Sequence, residues 1–181
     1  YTARHSMNVM TYSLTIYKEI IGSQKDNETR FKDIVVASLF HDVGKCNTPD
    51  EILKKKGKLE SEEMKVIRHH PVDTGRLLRK YYNNRIAEIA ENHHERIDGS
   101  GYPFGLSGHE LSTEAKILAV VDAFDAMTTD RGYNNVKSFA DAAEELYNLP
   151  HLFDHEVASV LKRLVDEGKI AQARKKNDGQ Q

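Results

Sequence analysis

Apolar residues recur every three to four positions along most of the chain, and no segment alternates in the manner of a half-buried strand. Met10, Leu14, Tyr17 and Ile21 line one face of a first helix, which Gly22 ends. The polar run SQKDNET separates it from a second helix over about Thr29 to Asp42, with Phe31, Ile34, Val35 and Leu39 inward and Gly44 as its stop. Thr48-Pro-Asp-Glu reads as an N-cap, a proline at the first helical position and a capping-box Glu51, opening a short helix to about Lys54. Gly57 breaks it. Ser61 caps a helix to about His69, Pro71 interrupts or restarts it, and Asp73 to Tyr81 continues with Leu77 and Leu78. Asn84 to about His93 turns Ile86, Ile89 and Ala90 inward. Residues 95–111 are glycine-rich and form the one long loop, and loops above about 12 residues are usually functional or disordered. Ser112 caps a helix from Thr113 to about Thr128, Ser138 another to about Tyr147, and a last one runs from Asp154 to about Glu167. The pattern predicts an all-α bundle.

Composition narrows the function more than the fold. With 181 residues, 39% hydrophobic and 30% charged, the chain reads as one globular domain over residues 1–168 and a polar tail over 169–181. Tyr1 already lies inside a helical pattern, which predicts a domain cut from a longer protein, with an N-terminal regulatory domain missing. No apolar run approaches the roughly 18 residues needed to span a bilayer, and no secretory leader is present, so the expected location is the cytoplasm. The single cysteine, Cys46, excludes an intramolecular disulfide and argues against a thiolate metal site. A net charge of −2 excludes a general polyanion binder, so no nucleic-acid polymer is expected as a partner. An anionic substrate would need positive charge from metal ions and a few Lys or Arg.

Two histidine-bearing motifs carry the chemistry. HHERIDGSGYP, at 93–103, puts His93 and His94 ahead of the glycine-rich loop, and HDVGK puts His41 beside Asp42 some fifty residues earlier. With His5, His70 and Asp122 these make seven candidate metal ligands on five helices or helix ends. Imidazole and carboxylate donors suit Mn, Fe, Co, Ni or Zn. Two carboxylates among five histidines suit two ions with an aspartate between them, a device for activating water and neutralising charge in phosphoryl displacement. Lys45, four residues after His41, is placed to touch a phosphate oxygen. Gly99 and Gly101 allow close approach of backbone to a ligand, and Tyr102 can stack on a base or bond a phosphate. Asp125, at i+3 from Asp122, can orient a ligand histidine, and Arg131 can clamp a phosphate or a guanine edge. His151 and His155, the lysines of KKKGK, His69, His109 and Cys46 read as surface or passive residues.

HDVGK, RHHPVDTG, HHERIDGSGYP and VDAFDAMTTDRGY follow the order and spacing of the bacterial HD-GYP family, a branch of the HD-domain metal-dependent phosphohydrolases, and the resemblance runs from about His5 to about Gly168. It implies a helical fold, a bi- or trinuclear centre of iron or manganese, and hydrolysis of cyclic di-GMP to pGpG and on to GMP. By motif position the ligands fall on His5, His41, Asp42, His70, His93, His94 and Asp122, with Asp42 bridging. Lys45, Gly101, Tyr102 and Arg131 become substrate contacts. Trinuclear members carry a glutamate where this chain has Tyr1, so the resemblance implies two ions. The usual Arg-Pro-Tyr-Arg is here Arg131-Gly132-Tyr133-Asn134, with the second cation lost. Two alternatives stand beside the phosphodiesterase. One is a non-catalytic module binding a cyclic dinucleotide or a diguanylate cyclase. The other is a phosphodiesterase for another nucleotide such as cyclic GMP-AMP.

Overall fold

The most apolar stretch of the chain, AKILAVVDAF, becomes the central helix of the computed structural model. The structure describes residues 2–22, 28–55, 57–130 and 136–171. Nine α-helices lie among them: α1 Thr2–Ile21, α2 Glu28–Phe40, α3 Asp50–Leu53, α4 Ser61–Arg68, α5 His70–Tyr81, α6 Asn84–Glu91, α7 Thr113–Thr128, α8 Phe139–Tyr147 and α9 His155–Asp166. A 3-10 turn, Val43–Asn47, follows α2. The described residues hold no strand, only an isolated bridge between Asp98 and Ser107 within the long loop. The all-α expectation therefore holds.

α7 is buried on nearly every side, as its composition requires. It packs on α1, α6, α8 and α9, while α1 pairs with α2 and α5 with α6. Ile16, Ile34, Ile89, Ile117, Leu118, Phe124, Leu146, Leu161 and Leu164 form one continuous core. Ile170, which the sequence reading puts in the polar tail, is buried in that core as well. Side-chain caps form where polar residues precede apolar runs. Asn83, Ser112, Ser138 and Asp154 each accept a backbone N–H three residues on.

Six local expectations shift. The fully buried stripe of α1 is Val9, Ser13, Ile16 and Tyr17, whereas Met10, Leu14 and Ile21 are half-buried. The stripe is rotated because α1 is wedged against α2 on one side and α7 and α9 on another. α2 ends at Phe40, not Asp42, so His41 and Asp42 stand on a turn. Gly44 is not a left-handed helix stop. A Cβ there would lie 2.1 Å from the His70 carbonyl oxygen and 2.5 Å from the Thr74 amide nitrogen, so its role is to let the 3-10 turn press onto α5. Pro49 rather than Thr48 precedes α3, and Glu60 rather than Ser61 precedes α4, where the Glu63 carboxylate accepts the Glu60 N–H. Pro71 sits in the first turn of α5, where a missing N–H costs nothing, so it starts a helix rather than interrupting one.

Candidate metal centre

The seven candidate ligands converge on one point between α1, the turn after α2, the start of α5, the end of α6 and the middle of α7. His5 Nε2 lies 3.1 Å from His41 Nε2 and 3.3 Å from Asp122 Oδ1. His41 Nε2 is 3.6 Å from the same Asp122 oxygen. On the other side His70 Nε2 and His93 Nε2 are 3.4 Å apart, and His94 joins them within ligand-sharing distance. Asp42 stands between the two groups. Its Oδ2 is 3.7 Å from His5 and 3.6 Å from His41, and its Oδ1 is 3.2 Å from His70 and 3.8 Å from His93. Asp122 also reaches across, its Oδ2 lying 3.9 Å from His94 Nδ1.

Local backbone geometry selects the tautomers. His41, His70 and His93 each turn Nδ1 onto the carbonyl three residues earlier, on Ser38, Ile67 and Ala90, at 2.8, 2.7 and 2.5 Å. Each Nδ1–H donates there, which leaves the Nε2 lone pair aimed inward. His5 reaches the same state through a side chain: its Nδ1 lies 2.6 Å from Asp125 Oδ2, and Asn8 and Thr129 donate to Asp125 Oδ1. Asp125 thus orients a ligand histidine, as its i+3 spacing predicts. A cluster of lone pairs and carboxylate oxygens within 4 Å has acceptors but few donors. Asp42 Oδ1 is buried and accepts no hydrogen bond. Divalent cations fit that donor set, because they supply the positive charge that the acceptors lack.

The electrostatics divide the cluster in two. Burial raises the pKa of Asp42, but His41, His70, Lys45 and His93 outweigh it and hold the carboxyl well below its ordinary range. Asp122 is depressed likewise, burial being overcome by bonds to His41 and His5. Burial lowers His93, reinforced by His94 and His41, and lowers His94 to about 3 against the pull of Asp122. His5 moves the other way, to about 9, because Asp122 and Asp125 outweigh its burial.

The glycine-rich loop folds back over this cluster. Tyr102 N–H donates to the His94 carbonyl at 3.2 Å, and its ring stacks on the His94 imidazole with centroids 4.7 Å apart. Burial pushes the phenol up to about 12, so its hydroxyl is a donor at neutral pH. Gly101 is placed differently from the expectation that it admits a ligand. A Cβ there would lie 2.4 Å from Glu95 Cα and 2.5 Å from Arg96 N, so glycine lets the loop pack on the backbone that follows His94. Lys45 does stand at the centre, its Nζ 2.6 Å from Asp42 Oδ2. Arg131 lies outside the described residues, as does Tyr1. His69, His109, His151, His155 and Cys46 are exposed and belong to none of the three clusters of metal-type donors among the described residues. Lys54 and Lys55 pair with Asp50 and Glu63, which leaves them surface roles.

Three residues here went unread in the sequence. Glu95 is fully buried and its two oxygens accept the Phe104 and Leu106 N–H groups at 2.7 and 3.0 Å, clamping the loop. Thr74 accepts from Gly44 N–H and donates to the His41 carbonyl, which latches the ligand turn to α5. Arg68 places its guanidinium 5.0 Å from the Tyr102 ring centroid. The glutamate directly after His93-His94 was the available signal for the first; a mid-helix threonine and a helix-end arginine offered none.

Residues 3–157 match the HD domain family. The chain belongs to that family. Its motifs place it in the HD-GYP branch. It is 38% identical over 170 residues to a cyclic di-GMP phosphodiesterase of Thermotoga maritima, covering 92% of this chain and 45% of that protein. It is 35% identical over 159 residues to the 3'3'-cGAMP-specific phosphodiesterase 1 of Vibrio cholerae, covering 87% and 34%. The chain thus spans less than half the length of these curated relatives. Bd1817, an HDG"Y"P protein from Bdellovibrio bacteriovorus, has the same fold, with a TM-score of 0.72 at 20% identity over 92% of this chain and 53% of that one. Among the described residues no helix is long and apolar enough to cross a membrane.

Proposed function

We propose that this HD-GYP domain is a metal-dependent phosphodiesterase that hydrolyses cyclic di-GMP to pGpG and on to GMP. The observation that carries the reading is Asp42, a buried carboxylate whose two oxygens face two separate histidine groups, with Oδ1 accepting no hydrogen bond. His5, His41 and Asp122 would hold one ion and His70, His93 and His94 a second, with Asp42 between them, and the mixed imidazole and carboxylate set suits iron or manganese. Bound ions would supply positive charge to the phosphoryl oxygens and lower the pKa of a water. The chain's own groups do the rest. The four inward Nε2 atoms are held in one tautomer by backbone carbonyls and Asp125. Lys45 holds its ammonium beside Asp42, where a phosphate oxygen can receive it. Tyr102 offers a ring face and a protonated hydroxyl over His94, and Arg131 is assigned to the other side of the substrate. The fold of the loop over the cluster limits the access of bulk water.

Relatives named for 3'3'-cGAMP favour a second substrate reading, with the same site and a different base pair of recognition. The same proposal carries a cytoplasmic location, a regulatory domain ahead of residue 1, and a diguanylate cyclase domain as a partner. Co-purification of the protein with such a cyclase tests the last. The deciding experiment is turnover of cyclic di-GMP and 3'3'-cGAMP by anaerobically prepared, metal-analysed protein with added Mn or Fe(II), beside Asp42→Ala. Hydrolysis that the substitution abolishes is the expected result. Two ions bound with neither dinucleotide cleaved would reject the substrate reading, and no bound metal would reject the enzyme.

A further inference from the structure

A cyclic dinucleotide carries two phosphodiesters in one ring. Only one can be cleaved at the histidine cluster in a given encounter, and the other needs a cation of its own. Three cations border the cluster and Tyr102. Lys45 is tied to Asp42 at 2.6 Å. Arg96 is half-buried, lies over the Phe153 ring, and donates to the Glu95 carbonyl at 2.7 Å. Arg68 differs from both. It is the last residue of α4, exposed, and has no carboxylate within ion-pairing distance among the described residues. Its guanidinium lies over Tyr102, which in turn stacks on His94, so a free planar cation stands one ring away from a candidate ligand.

Resting on the cyclic-dinucleotide reading, we infer that Arg68 grips the phosphate that is not being cleaved and so selects two-phosphate rings over simple diesters. The guanidinium fork matches two phosphate oxygens at once, and stacking on Tyr102 limits the rotamer freedom lost on binding. α4 also runs straight into α5, whose first residue is His70, so Arg68 is set relative to the cluster by helix geometry rather than by a loop. A helix-end arginine acting only on the helix dipole and the Tyr102 ring would leave substrate affinity untouched.

Arg68→Ala and Arg68→Lys, loaded with metal and compared with wild type, separate these cases. The substrates are cyclic di-GMP and bis(4-nitrophenyl) phosphate, a diester with one phosphate. The expected result for Arg68→Ala is a KM for cyclic di-GMP raised about ten- to hundredfold, with kcat within about twofold. Arg68→Lys falls between, and metal content and turnover of the one-phosphate diester do not change. An unchanged KM overturns the assignment, as does an equal loss on both substrates. Wild-type protein that cleaves the one-phosphate diester but neither cyclic dinucleotide rejects the substrate reading itself, and the Arg68 assignment falls with it.

Discussion

Helix α7 carries two buried acid sites about 12 Å apart along its axis, and they are built in opposite ways. Glu114, in the first turn, has one oxygen answered by two guanidinium groups, Arg30 at 2.8 Å and Arg85 at 3.0 Å. Asp122, two turns on, faces imidazole nitrogens of His5, His41 and His94, and shares His5 and His41 with Asp42. Permanent cations neutralise the first site within the chain, although Glu114 Oε2 accepts no hydrogen bond. The second rests on imidazoles, which carry charge only when protonated. A carboxylate paired with arginine stabilises a fold; carboxylates set among oriented histidines wait for a ligand. The comparison also separates two senses of a buried acid that composition alone merges.

The largest effect that sharpens this contrast is on chemistry. Asp122→Asn is expected to cut turnover of the cyclic dinucleotide on the order of a hundred- to thousandfold and to lower the melting temperature of the metal-loaded protein more than that of the chelated protein. Steady-state kinetics and calorimetry on the same preparation check both halves. Next comes Asp125→Asn, one shell further out. It leaves one acceptor oxygen where His5, Asn8 and Thr129 all donate, which loosens the hold on the His5 tautomer, and metal affinity is expected to fall about ten- to hundredfold, read by competition with a chelating dye. Retained affinity would mean that His5 needs no orienting partner.

The stability side is smaller. Glu114→Gln is expected to cost about 1–3 kcal/mol in denaturant unfolding at pH 7, with turnover of folded protein unaltered. Burial raises the Glu114 pKa, but bonds to Arg30 and its own backbone outweigh it, so the folded value lies below the ordinary 4.5. A depressed pKa contributes stability above the unfolded value and loses it as the pH falls through the folded one. The gap between wild type and variant should therefore close below about pH 4.5. A gap that persisted into acid would show that the arginines respond to shape rather than charge. Smallest of all is the surface pair of Arg163 and Glu19, 2.6 Å apart and half in solvent. Arg163→Ala should leave the denaturant-unfolding midpoint unchanged within experimental error.

The sequence was legible where a signal was local. Helix starts at Ser112 and Ser138 depend on a side chain and an amide three residues away, and both cap as that spacing predicts; Asn83 and Asp154, not read as caps, do the same. Gly22, with φ at +73°, ends α1 because no other residue adopts that backbone freely. The candidate ligand set was legible for a different reason: HD, HP and HH sit at helix ends, and the i−3 carbonyl that orients His41, His70 and His93 is itself a local feature. What failed was non-local. Gly44 and Gly101 were read as a stop and as a space for ligand, but both are demanded by backbone from elsewhere in the chain. Glu95 is a charged residue in a polar loop until the loop closes over it.

By itself, the sequence determined the helical class, most helix boundaries, the seven candidate donor residues and the family to which the chain belongs. These follow from periodicity, capping and donor chemistry, all of which act over a few residues. Only the tertiary structure decided which histidines share which aspartate, that Asp42 stands between two groups, and that Arg68 faces Tyr102. Those facts depend on how α1, α5, α6 and α7 pack around one core, and packing is set by the sum of many weak contacts between residues far apart in the chain.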